Sequence, residues 1–310
     1  MRRLGYLVLL LWVVYTATFV LVYALPSDPV ALMVERRSGG AGGLAPDQLA
    51  ALREAYGTDR SLLERYGATL GAFVVGDLGT SFEHGQPVTA LLAAAAPATL
   101  ELAAAGFALA TLIAVTLALV TSYRPDGWVH RLLHDVPAIA AGIPAFWLAL
   151  LLMQVFAYSL GWFPATRGTG PAALVLPALA LAVPVSAPLA IVLVRTLDAT
   201  WRSDFVLLLQ ARGLPRRSVF WAHVVRGSLL PFVTLLGLTV GGVLVGTVVT
   251  ETVFARAGLG RLLVGAVESQ DAPVVLALAV LGAVVFGLAN LAVDLLYPLL
   301  DPRLGRRESR

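Results

Sequence analysis

Two carboxylates, Glu101 and Asp294, lie in or beside long apolar blocks, where an ionised side chain is costly and is a functional hypothesis by default. Neither brings a partner for proton transfer in the sequence around it. Glu101 follows Pro97 closely, and the first turns of a helix beginning there would stabilise its charge through the helix N-terminus. Asp294 stands near the end of the last apolar block, where water or an arginine can reach it, so a structural pairing is expected. Glu251 opens the stretch ETVFARAGLGRLL, in which Gly258 and Gly260 give the backbone freedom for a sharp turn at a membrane face. Four histidines, His84, His130, His134 and His223, do not assemble a metal site by spacing. His130 and His134 can share a helix face, but with only Asp126 and Asp135 near them in the sequence they read as part of a solvated loop. No Gly-x-Ser-x-Gly, no His-Glu-x-x-His and no paired carboxylate points to hydrolysis. Cysteine is absent, so disulfides, thiolate ligands and thiol nucleophiles are excluded. Lysine is absent too: all 22 basic residues are arginine. A phosphate-binding loop of the P-loop type needs a lysine, so any ATPase that drives this chain has to be another polypeptide.

The elements that position these residues are membrane elements. Of 310 residues 58% are hydrophobic and only 13% charged, with a mean hydropathy of +0.84, a composition far from that of a soluble domain. The net charge is +3, but the arginines are scattered between apolar blocks and form no basic face for nucleic acid. Six blocks reach the roughly 20 residues a membrane helix needs: Leu4–Leu25, Ala98–Thr121, Val136–Leu160, Ala172–Val194, Phe232–Phe254 and Val274–Leu300. The first, preceded by Arg2 and Arg3, is longer than the core of a signal peptide and lacks a small-residue cleavage site, so it reads as a retained span. With the N-terminus inside, fourteen arginines fall on the cytoplasmic side and eight outside, five of those in one long loop. That asymmetry places both termini in the cytoplasm.

The expected organisation is an N-terminal transmembrane helix at 1–25, an extracytoplasmic segment at 26–97, a five-helix core at 98–300 and a cytoplasmic tail at 301–310. Within 26–97, LAPDQLAALREAYG reads as a short helix, with Pro46 and Asp47 at its start and Gly57 at its end. A second candidate, RSLLERYGATLGAFVVGDLG, sets Leu62, Leu63, Tyr66 and Leu70 on one side. The pair reads as a small lid on the membrane face or a dock for an external partner. Span five carries Gly237, Gly241, Gly242 and Gly246 at spacings that permit close helix approach. Pro137 suits the first turn of span three, and Pro144, Pro177, Pro184 and Pro188 can bend spans three and four.

One stretch breaks the apolar pattern. LLLQARGLPRRSVFWAHVVRGSLLP, Leu207–Pro231, is too polar to cross a bilayer and too rich in Leu, Val, Phe and Trp for a solvated loop. A helix is expected over Thr196–Arg212, with Leu197, Trp201, Phe205 and Leu208 as its stripe. Gly213 stops it, and Pro215 opens a second short helix through about Val225. By periodicity alone the pair is either a knob for a partner's groove or an interfacial pair held by arginine at lipid headgroups.

This segment, at 196–231, resembles the cytoplasmic coupling loop of ABC importer permeases, in the form of the dipeptide/oligopeptide (peptide/nickel) branch. The residues that carry the likeness are Asp204-Phe205, Ala211-Arg212-Gly213-Leu214, Pro215, His223, Arg226 and Leu229-Leu230-Pro231. LPSDPV, GDLGTSF, PVTALLAAAAPATLELA, ETVFARAGLGRLL and LANLAVDLLYPLLDPR look like the same branch and follow in its order. Two departures stand out. Leu209-Gln210 replaces a small–basic pair and Leu207-Leu208 a more polar one, which makes the first helix greasier.

The resemblance implies an all-α polytopic fold of the type I importer class with six transmembrane helices, embedded in the cell membrane. It implies a second, homologous permease as heterodimer partner, two ABC ATPase subunits and an extracytoplasmic substrate-binding protein. ATP and magnesium would sit on the ATPases, and this chain would bind no cofactor. Asp204, Phe205, Ala211, Arg212, Gly213, Leu214, Pro215, His223 and Arg226 would couple to the ATPase, while Glu251, Gly258 and Gly260 would lie near the pathway, as a gate or a plain re-entrant turn. The cargo implied is di- or oligopeptides, with nickel or a metal chelate, glutathione and short sugars as alternatives. A proton-coupled secondary transporter using Glu101 or Asp294 is the rival of another class, and it leaves the polar stretch unexplained. A membrane-embedded enzyme would need a polar constellation that the sequence does not supply.

Overall fold

The computed structural model describes residues 2–23, 34, 47–48, 50–51, 61–124, 127–166 and 170–300, of which 2–4 and 292–300 are described by their backbone alone. Most of the expected helix at LAPDQLAALREAYG, the LPSDPV motif, the tail at 301–310 and the side chain of Asp294 lie outside the described residues.

Among the described residues, five helices are long and apolar enough to cross a membrane, within Gly5–Tyr23, Val88–Ser122, Ala172–Trp201, Arg216–Val253 and Ala272–Leu291. A bent pair, Trp128–Ala141 with Ala145–Ser159, makes a sixth span if counted as one. In chain order the helices are α1 (Arg2–Tyr23), α2 (Leu62–Val74), α3 (Val88–Ser122), α4 (Trp128–Leu133), α5 (Val136–Ala141), α6 (Ala145–Leu152), α7 (Ala172–Trp201), α8 (Asp204–Ala211), α9 (Arg216–Val219), α10 (Arg226–Val253), α11 (Leu259–Glu268) and α12 (Ala272–Leu300). Wider π-helical turns extend α6 through Met153–Ser159 and join α9 to α10 through Phe220–Val225.

Four boundaries differ from expectation, each for a physical reason. Helix α3 starts at Val88 rather than Ala98, because the alanine-rich run carries the helix through Pro97. Glu101 therefore sits deep inside a helix and not in a first turn. The third span is not one rod: Pro144 caps α6 in extended conformation after Gly142, and the chain bends by 106° there. The helix expected over Thr196–Arg212 breaks at Arg202–Ser203, so its stripe is split: Leu197 and Trp201 are buried on α7, whereas Phe205 and Leu208 are exposed on α8. Finally, α9 has no separate end. It runs through the π turn into α10, leaving Pro231 inside a helix rather than at its start.

Contacts group the chain into two compact units that cut through α3 and α12, unlike a segmentation by apolar blocks. The first comprises 1–98 and 257–287. In it α2 begins with a capping box, in which the Ser61 hydroxyl accepts from the Glu64 amide and the Glu64 carboxylate accepts from the Ser61 amide. The packed face of α2 keeps Tyr66 and Leu70 of the expected one and drops Leu62 and Leu63. Leu62 and Leu63 point outward, while Tyr66, Leu70 and Phe73 pack on Tyr15, Phe19 and Tyr23 of α1. Tyr15 donates to Thr69 at 2.7 Å, and Arg65 lies over the Tyr23 ring at 4.3 Å.

The second unit, 99–256 and 288–310, is built around α7. This helix carries Pro177, Pro184 and Pro188 without a break and has no charged residue before its last two turns, where Arg195 and Asp198 stand, as suits a helix at the centre of a core. Ala110, Ala114 and Ala118 recur every four residues on α3, all fully buried. Leu181 of α7 fits between two glycines. A Cβ at Gly106 of α3 or at Gly246 of α10 would come within 2.6 Å of its methyl groups. Of the glycines expected to permit close approach in span five, Gly246 makes such a contact, whereas Gly242 faces open space.

Candidate functional site

The polar stretch folds as an elbow. Ser203, in extended conformation, precedes α8, and Asp204 in the first turn complements the helix dipole. Val206 turns into the core with Val219, Phe220 and Val224, while Phe205 (54% exposed), Leu207 (63%) and Leu208 (52%) face outward. Ala211 closes the helix and Arg212 caps it. Gly213 then adopts φ +80°, a left-handed conformation that suits glycine. The Gly213 amide donates to Gln210 at 2.9 Å and the Leu214 amide to Leu209 at 3.3 Å. This is a Schellman turn, and its apolar pair, Leu209 and Leu214, packs on the core cluster. Pro215 caps α9, its fixed φ of −66° starting the return. His223 meets Phe205 edge-on at 5.6 Å between ring centroids, which ties the two arms together. Arg226 opens α10 on its exposed side. All nine residues assigned to the stretch by resemblance thus lie on one folded element.

What holds this element in place was not legible in its motif. Helix α3 ends at Ser122, and its last carbonyls have no partner within the helix. The last two of them and the next carbonyl along the chain are met by side chains from elsewhere. Thr121 O faces His130 Nδ1 at 3.2 Å, Ser122 O accepts from Trp201 Nε1 at 2.8 Å, and Tyr123 O accepts from Arg216 Nε and Nη2 at 3.3 and 3.2 Å. The Arg216 guanidinium also lies 4.7 Å above the Trp201 ring, and Trp201 stacks on Phe220 at 5.8 Å. The elbow is therefore tied to the end of α3 directly through Arg216 on its second arm, and the end of α7 that leads into its first arm is tied there through Trp201.

A second polar site lies where α10 ends. Glu251 is fully buried, and Thr99 of α3 donates to its Oε1 at 2.6 Å. Two residues along α3, Glu101 pairs with Arg256 at 2.8 Å, so its charge is met by an arginine rather than by the helix N-terminus expected for it. The sharp turn here falls on Ala255, with φ +53°, rather than on the glycines. Gly258 is the extended cap of α11, and Gly260 is buried within it.

A serine, a histidine and an aspartate also meet in the first unit, but not as a hydrolytic triad. Buried Asp271 accepts directly from the Ser81 hydroxyl, from the Phe82 amide at 3.1 Å and from the Glu83 amide at 3.3 Å. The serine proton is committed to the carboxylate, so His84, 3.2 Å from Ser81 Oγ, has no nucleophile to activate. The carboxylate shapes the loop of the GDLGTSF motif.

These placements can be set beside known proteins. Residues 110–306 match the family model described as binding-protein-dependent transport system inner membrane component, and residues 1–103 match its N-terminal companion. The chain belongs to this family. It is the membrane permease component of an ABC importer, multi-pass and resident in the inner membrane. It is 30% identical to the dipeptide transport system permease protein DppB of Lactococcus lactis subsp. cremoris, over 98% of each chain. It is 33% identical to the glutathione transport system permease protein GsiC of Pectobacterium atrosepticum, covering 98% of this chain and 97% of the relative. It is 31% identical to the oligopeptide transport system permease protein AppB of Bacillus subtilis, covering 93% and 92%. In this permease the elbow, the capped end of α3 and the Glu251 turn all fall within the match to the inner-membrane component or its N-terminal companion.

Proposed function

We propose that the permease carries di- or oligopeptides inward and that the elbow from Asp204 to Arg226 is its coupling element, held by ATPase subunits on the cytoplasmic side. The carrying observation is the form of the elbow. A compact protrusion shows Phe205, Leu207, Leu208, Arg212 and Arg217 on its open face, and its inner face is fixed to α3 and α7. Three large apolar side chains beside two arginines suit a partner's groove. Because α9 runs unbroken into α10, a displacement of the elbow reaches a transmembrane helix without passing a flexible joint. The chain makes no bond to a reacting group. It supplies two packings, one favoured by each state of the ATPase pair.

The full assembly in this reading has a second, homologous permease, two ATPases holding ATP and magnesium, and an external binding protein that delivers the cargo. Both termini face the cytoplasm, a placement the arginine asymmetry supports. The peptide cargo rests on the names of the dipeptide and oligopeptide relatives, and the glutathione relative keeps that molecule as the alternative. The test is uptake into proteoliposomes. The reconstituted assembly should take up peptide with ATP and not without it. Uptake by this chain alone, driven by a proton gradient, overturns the reading. Gly213→Val should insert normally and lose substrate-stimulated ATP hydrolysis; full stimulation would misplace the coupling break.

A further inference from the structure

We propose that His130, His134 and Asp198 form a binding site for a divalent transition metal of the zinc type. The histidines lie four apart, His130 in α4 and His134 capping it, and the fold brings Asp198 of α7 to them across the chain. One ligand atom from each of the three lies within 4.8 Å of the others. Along the sequence the histidine pair has only Asp126 and Asp135 for neighbours; the third member is contributed by another helix.

Two further observations point to a cation. Each imidazole presents Nδ1 to an acceptor: His130 to Thr121 O at 3.2 Å and His134 to the Asp135 carboxylate at 3.0 Å. Those acceptors hold the proton on Nδ1 and leave Nε2 with its lone pair, the arrangement by which ligating histidines are oriented. On the third side, Asp198 Oδ1 is buried and has no hydrogen-bond partner. A buried carboxylate oxygen without a donor is unfavourable unless a cation meets it. Two imidazoles and one carboxylate with an open fourth position suit zinc, and nickel or cobalt less selectively. Tetrahedral ligands at about 2.0–2.1 Å lie about 3.3 Å apart, so binding draws α4 toward α7. Asp198 precedes the Trp201 anchor by less than one turn of helix, and His130 caps α3 beside it. A bound dication thus fastens the segment after α3 to the root of the elbow. This inference does not depend on the cargo or on the ATPase contact.

The experiment uses the untagged full chain in lipid nanodiscs, freed of metal and titrated with zinc against a fluorescent zinc chelator. One zinc per chain is expected. Asp198→Asn and His134→Ala should each weaken binding by about 10-fold or more, and Asp135→Asn by about 10-fold. His84→Ala and His223→Ala should bind as the parent does. Zinc should raise the Tm of the parent and leave that of Asp198→Asn unchanged, and the metal-free Tm of each variant checks that it folds. No stoichiometric zinc, or equal affinity in Asp198→Asn and His134→Ala, overturns the site.

Discussion

The elbow after α8 and the turn after α10 are the same backbone device in opposite surroundings. In each, the helix closes through a left-handed residue with a six-to-one hydrogen bond. At the elbow this bond runs from the Leu214 amide to Leu209, and after α10 from the Arg256 amide to Glu251 at 2.9 Å. The elbow's left-handed residue is Gly213, exposed, with no atom within 4 Å of where a Cβ would stand; its flanking pair is leucine and leucine. The other turn uses Ala255, and its flanking pair is a buried glutamate and an arginine, held by Thr99 and Glu101 of α3. Each turn therefore takes its definition from a different source. The elbow is defined by the residue at its corner, so it can be exposed and still keep its shape. The turn after α10 is defined by charged and polar partners on another helix, which tolerate an alanine at the corner.

Glu251 is where this contrast is most vulnerable. Glu251→Ala removes the acceptor of a buried hydroxyl and opens space in the core, so a loss of roughly 3 kcal/mol is expected. Glu251→Gln keeps an acceptor for Thr99 and should lose about 1 kcal/mol. Thermal unfolding in detergent separates the two. Equal, small losses would show that the turn after α10 is held by its backbone alone. A smaller effect is expected at the elbow's anchor. Trp201→Phe retains an aromatic ring against Phe220 and deletes the donor to Ser122 O, leaving a buried carbonyl unmet at a cost of about 2 kcal/mol. Limited proteolysis should then cut first near Gly213, because the elbow has lost one of its ties to α3.

Smaller still is the cost of strain at the corner itself. Gly213→Val forces a β-branched residue into a left-handed conformation, worth about 1–2 kcal/mol. A Cβ at this exposed corner has no atom within 4 Å, so the loss should stay local and the membrane helices should assemble as before. Circular dichroism and gel filtration check the assembly. A misassembled protein would mean that the elbow helps to build the core instead of riding on it.

How much of this the sequence carried follows from the same physics. The all-α membrane fold was legible because a bilayer imposes length and hydropathy on each span. The elbow was legible because Gly213, Pro215 and the charged or titratable Arg212, Arg216, Arg217, His223 and Arg226 interrupt an apolar chain. The end of α7 was not, since Leu197, Trp201, Phe205 and Leu208 keep helical spacing across a break that Ser203 makes by starting a new helix. Spacing reports a face and says nothing about whether the axis continues. The caps on Thr121, Ser122 and Tyr123 were hidden for another reason: backbone carbonyls carry no side-chain signature, and their partners come from positions 130, 201 and 216. The pairing of Glu101 with Arg256 joins residues far apart in the chain, which neither periodicity nor local motif can announce. Ala255 is the plainest case, because a left-handed alanine looks in the sequence like any other alanine.

That last residue gives the finest test of the contrast, a reciprocal exchange at the two corners. Ala255→Gly relieves about 1 kcal/mol of left-handed strain. It also loosens the unfolded chain, which returns about 0.4–1 kcal/mol of that gain. A net stabilisation of about 0.3 kcal/mol is expected, read as a small rise in Tm. Gly213→Ala runs the same exchange backward in open space, so its expected change is of similar size and opposite sign. If both substitutions destabilise, the partners of Glu251 select the alanine itself, and the turn after α10 is packed around its methyl group. If both stabilise, the left-handed conformation contributes less than chain entropy at either corner, and the elbow owes its shape to the Leu209–Leu214 contact rather than to glycine.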